Sequence, residues 1–159
     1  SNQISDIAFT LSQRGNWKDE WGDDKTFFDY TPSLKFYLSE RMGARKDMSI
    51  SEINSEKKFN ASLSLYEIDL GEQDNISKKI YWKEENGKGI GVVIACASYP
   101  SGAKACELNS HVPNYGFNTS YLEINFHSEL LPHWKQLQRD SLKLFNSFQI
   151  EENQVNASK

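Results

Sequence analysis

Apolar and polar residues alternate with a period of two along most of this chain, which predicts a domain built mainly of β-strands. Ile7, Phe9 and Leu11 alternate with Ala8 and Thr10, and Leu34, Phe36 and Leu38 repeat the period. From Phe59 the apolar side runs through Ala61, Leu63 and Leu65, then changes phase to Tyr66, Ile68 and Leu70. Such a slip predicts a bulge near Leu65. Gly71-Glu72-Gln73-Asp74-Asn75 reads as a turn, and Asn86-Gly87 suits a two-residue type I′ hairpin turn. That second turn sets Glu85 against Lys88 as a charge pair and Trp82 against Gly91, where an aromatic covers the missing side chain. Ile90 to Ala97 is apolar on both faces, as in a central strand covered on both sides, with Ile90, Val92, Ile94 and Cys96 sharing one face. After a loop containing Pro113 and Gly116, Leu122, Ile124 and Phe126 alternate with Tyr121, Glu123, Asn125 and His127, a further half-buried strand.

Two stretches depart from this period. Ser49-Ile50-Ser51-Glu52 matches a capping box and starts a short helix with Ile50 and Ile53 facing inward; the competing reading is an ordered surface loop. Pro132 opens a final helix whose Trp134, Leu137, Leu142, Leu144, Phe145 and Phe148 form one broad apolar stripe that must pack on the sheet. Beyond Ile150 the residues are polar and aperiodic, so 151–159 read as a disordered tail. The expected fold is α+β: an antiparallel β-meander sheet packed by a C-terminal α-helix, forming a single domain over residues 1–150 of the 159.

The cysteines sharpen the picture. Cys96 and Cys106 are the only two, and Tyr99-Pro100-Ser101-Gly102-Ala103 between them fits a three-residue hairpin loop. Proline presets φ at the first turn position, and Gly102 supplies the left-handed residue. Counting outward from Tyr99 and Ala103 places Cys96 opposite Cys106 at a pair without mutual hydrogen bonds, where Cα atoms approach to about 4.5 Å. A cross-strand disulfide is therefore expected, and with it an oxidising compartment, periplasmic or extracellular. The competing reading is two reduced, buried cysteines that face each other.

Charged residues make up 25% of the chain and the formal net charge is −4, which argues against nucleic-acid binding, since that draws its affinity from clustered Lys and Arg. No apolar run approaches the roughly 18 residues of a membrane span. No signal peptide is present, and Ser1-Asn2 reads as the scar of a cleaved tag on a mature protein without its leader; a lipid anchor on the unprocessed N-terminus fits the same picture. Asn-x-Ser triplets begin at Asn60, Asn75, Asn118 and Asn156, and chance accounts for most of them in a chain this rich in Asn and Ser.

Catalytic chemistry finds little footing. There is no Gly-x-Ser-x-Gly elbow, and a disulfide leaves no thiolate to pair with a histidine, so no enzyme and no catalytic residue is expected. Gly87, Gly89 and Gly91 lead into a strand rather than a helix N-terminus, so they belong to a hairpin, not to a phosphate loop. Glu107 and His111 share a face with Glu123 and His127 on the next strand, which allows a two-histidine and carboxylate geometry. No familiar metal spacing occurs, however, and a solvent-facing sheet carries such residues as a matter of course, so neither metal nor cofactor is expected. His133 falls in the first turn of the last helix, where a positive charge opposes the dipole, and is read as neutral and incidental. The most unusual composition lies in residues 17–30, which hold five acids and five aromatics. Its spacing does not match a calcium loop. Aromatic anchors flanked by charge suit a protein interface, and Trp17, Asp19, Glu20, Trp21, Asp23 and Asp24 are the expected contacts, extended by Tyr115 and Phe117. The competing reading is a surface loop whose rings tuck into the core.

The strand Tyr121-Leu122-Glu123-Ile124-Asn125-Phe126, followed by His133-Trp134-Lys135 through Ser141-Leu142 and Asn146-Ser147-Phe148, resembles the C-terminal domain of the lipase-immunity group of periplasmic immunity proteins. Bacteria keep these proteins against their own type VI secretion effectors. The resemblance covers roughly residues 76–149, and its short motifs are shared with PsbP-like sheet-plus-helix domains. It implies a small exported protein with no catalytic residues, which inactivates a toxin by occupying its active site. The expected function is thus neutralisation of a cognate secreted effector by protein contact. The alternative is an exported accessory or lipoprotein domain that binds a small ligand or lipid between helix and sheet.

Overall fold

The computed structural model describes residues 8–13, 48–85, 89–112 and 120–157. Among these, seven strands form one antiparallel sheet: β1 (Ala8–Gln13), β2 (Lys58–Asn60), β3 (Leu65–Gln73), β4 (Ile76–Glu85), β5 (Gly89–Ser98), β6 (Lys104–Val112) and β7 (Ser120–His127). The spatial order β1-β7-β6-β5-β4-β3-β2 is a meander from β2 to β7, with β1 added outside β7. A short helix α1 (Ile50–Glu56) precedes β2; a 3-10 segment (Ser128–His133) and the helix α2 (Trp134–Ala157) follow β7. This is the α+β meander with a C-terminal helix and a cross-strand disulfide that the alternation and the hairpin loop predict.

The α1 capping box forms in full: the Ser49 hydroxyl accepts from the Glu52 amide at 3.2 Å, and the Glu52 carboxylate accepts from the Ser49 amide at 2.7 Å. Ile53 is buried as expected, whereas Ile50 is partly exposed.

In place of the bulge expected near Leu65 there is a chain reversal at residues 61–64, just before it. Lys58–Asn60 pairs back on β3, with Phe59 opposite Tyr66 and Asn60 opposite Leu65. Asn60 builds the turn: its side-chain oxygen accepts from the Leu63 amide at 3.1 Å and from the Ser62 hydroxyl at 2.7 Å, and Ser64 is left-handed at φ 56°. The bulge of β3 lies further on, between Asp69 and Gly71, where the Asp69 carboxylate accepts from the Gly71 amide at 2.7 Å and Gly71 takes φ 74°. The turn expected over residues 71–75 shrinks to Asp74 and Asn75, at φ 53° and 61°, the two left-handed residues of a type I′ hairpin.

A second bulge corrects the β4–β5 register. Glu85 faces Gly89 and Trp82 faces Val93, with a shift between Lys83 and Glu84 that leaves Gly91 unpaired. The extra residue turns Ile90 to the face opposite Val92 and Ile94, since a one-residue slip reverses every side chain beyond it. Residues 86–88, which hold the expected Asn86-Gly87 turn, lie outside the described residues, as does the strand expected at Leu34, Phe36 and Leu38.

The sheet consequently carries two apolar clusters. On one face Leu65, Tyr81, Val92, Ile94, Cys106, Leu108, Leu122, Ile124 and Phe126 meet Trp134, with Leu137, Leu142 and Phe145 of α2 packed against them. On the other, Ile53 of α1 and Met48 join Ile68, Leu70, Ile80, Trp82, Ile90 and Val93. Two polar bonds fix α2: the Trp134 indole donates to the Leu63 carbonyl at 2.9 Å, and the Gln138 amide donates to the Ser110 hydroxyl at 2.7 Å. Buried Ser141, a small side chain, lies between Leu137 and Phe145 on the packed side of the helix, while Leu144 is exposed. Pro132 sits inside the 3-10 segment rather than opening α2. The helix then runs past Ile150 to Ala157, where a disordered tail over 151–159 was expected. Glu151, Glu152 and Gln154 are strong helix formers, and no Gly or Pro interrupts the chain after Pro132, so extending an established helix costs little.

Candidate functional site

Cys96 and Cys106 are bonded, at a Cα–Cα distance of 4.1 Å and in the cross-strand register expected of them. The hairpin closes as its residues require: the Tyr99 amide donates to the Ala103 carbonyl, the Gly102 amide donates to the Tyr99 carbonyl, both at 2.9 Å, and Gly102 takes φ 87°. Cys106 is buried and Cys96 partly so, on the face that α2 covers. The bond fits a protein residing outside the reducing cytoplasm. Among the described residues, no helix is long and apolar enough to cross a membrane.

The expected contact residues Trp17, Asp19, Glu20, Trp21, Asp23, Asp24, Tyr115 and Phe117 lie outside the described residues. What the structure does assemble is an aromatic row across β2, β3 and β4. Phe59 meets the Tyr66 ring edge-on at 5.3 Å between centroids, and Tyr66 stacks on Trp82 at 6.0 Å. The Lys57 ammonium lies 4.4 Å from the Tyr66 centroid and 2.7 Å from the Glu84 carboxylate, which also accepts from the Trp82 indole at 3.1 Å. One carboxylate oxygen thus satisfies both a buried indole and the ammonium at the C-terminal cap of α1. At the far end of the row Phe59 is 60% exposed, which makes it the most solvent-accessible of the large apolar side chains described. Alternation alone places Phe59 with Leu63 and Leu65 on a buried side. The reversal at residues 61–64 separates them, and the Asn and Ser at 60 and 62 are the signal that would have found it.

A second constellation lies on β6 and β7, on the face away from α2. Glu107 stands opposite Asn125 and Asn109 opposite Glu123. Within each strand the amide donates to the carboxylate two residues back, Asn109 to Glu107 at 2.9 Å and Asn125 to Glu123 at 3.1 Å. The result is a checkerboard in which each carboxylate has an amide donor. Asn109 is only 1% exposed and the two glutamates are half-buried, so this face is not the freely solvated one that its polarity suggests. His127 does not join it: its Nδ1 accepts from the Glu129 amide at 3.2 Å and caps the 3-10 segment. His133 is exposed at the end of that segment. Among the described residues, no group of three or more His, Cys, Asp or Glu side chains is placed to hold a metal ion.

Tyr81 is buried on the face of the sheet that α2 packs against. Burial raises its hydroxyl pKa above 10.0, and the carboxylates of Glu67 and Asp69 add to the effect. Both effects favour the neutral phenol.

No family model, curated protein or solved structure matches the chain.

Proposed function

We propose that this protein is exported, to the periplasm or beyond, and there binds and neutralises a secreted antibacterial effector by protein–protein contact. The observation that carries the reading is the clustering of five aromatic and five acidic residues within 17–30. Rings supply contact area at an interface core, and acids steer a basic partner and fix its register. The Cys96–Cys106 bond supports export, because such bonds persist where thiols are not kept reduced. The resemblance of residues 76–149 to effector-immunity domains supports the class of partner.

A pull-down from an extract of the source organism, with the oxidised protein as bait and mass spectrometric readout, tests the reading. The expected result is one secreted toxin in stoichiometric amount, whose activity disappears when the two proteins are mixed. A co-purifying lipid or small molecule with no protein partner overturns it. With the toxin in hand, Trp21→Ala is expected to weaken binding by about 2 kcal/mol or more, as for an interface anchor. Unchanged affinity with lowered thermal stability would instead assign that ring to the core.

A further inference from the structure

We draw no further inference here: the strongest candidate, the exposed Phe59 ring at the β2 end of the Phe59–Tyr66–Trp82 row, has the chemistry of a docking point, but nothing in the structure shows what covers it.

Discussion

At β4 and β5 both faces of the sheet are apolar: Tyr81, Val92 and Ile94 lie on the face that α2 packs against, and Ile80, Trp82, Ile90 and Val93 pack with Ile53 of α1. At β6 and β7 only the α2 face is apolar, through Cys106, Leu108, Leu122, Ile124 and Phe126, while the other carries the Glu107, Asn109, Glu123 and Asn125 checkerboard. Yet Asn109 is as inaccessible as Ile90 on the same face, each at 1% exposure. The two regions differ in how burial is compensated rather than in whether it occurs. Around Trp82 the gain is removal of apolar area from water, about 25 cal/mol per Å². Around Asn109 the polar groups lose water and recover it as hydrogen bonds, which nets far less and penalises any unpaired member.

That contrast sets an order of expected losses on unfolding in denaturant. Trp82→Ala is expected to cost about 3–5 kcal/mol, because it empties a fully buried site and strips Glu84 of a donor. A loss near 1 kcal/mol would mean that this side of β4 is loosely packed and the contrast false.

Removing the disulfide with Cys96→Ala and Cys106→Ala comes next. The cysteines are 10 residues apart, and the chain-entropy relation for a loop of that size gives about 3 kcal/mol. The change should appear as a lowered denaturation midpoint and be reproduced by adding reductant to the parent protein. A pair variant as stable as the parent would show that β5 and β6 are held by packing alone.

Asn109→Ala should cost about 1–3 kcal/mol, since it withdraws the amide that Glu107 accepts from. No measurable change would show that water replaces the amide and that the polar face is open after all. The smallest effect concerns Tyr81. Its pKa is raised in the folded state, so above pH 10.0 the unfolded chain loses the phenol proton that the native protein still retains. The stability contribution is whole below that pH and is lost as pH rises through the folded pKa. Tyr81→Phe should flatten this alkaline decline in denaturation experiments, and a parent-like decline in that variant would assign it elsewhere.

Legibility followed the range of the interaction. The β5–β6 hairpin was readable to the residue, because Pro100 and Gly102 restrict their own backbones and the ladder then propagates the cysteine register. The α1 capping box was equally local. The β4–β5 register was misread because Gly91 absorbs an extra residue, and a glycine in an apolar run does not announce whether it is paired or bulged. Ile90 changed faces as a consequence. The candidate contact residues at 17–24, Tyr115 and Phe117 were legible as composition only, since aromatic and acidic content names a chemistry without an orientation.

From sequence alone came the α+β class, the antiparallel meander, the closing helix and the paired cysteines, all consequences of period, turn chemistry and local backbone restriction. Only the tertiary structure decided that β1 pairs with β7, that Phe59 ends an aromatic row in solvent and that His127 caps a helical turn. It also decided that a polar sheet face buries Asn109. Alternation reports which residues share a face; exposure depends on what other segments cover that face, and those contacts join residues far apart in the chain.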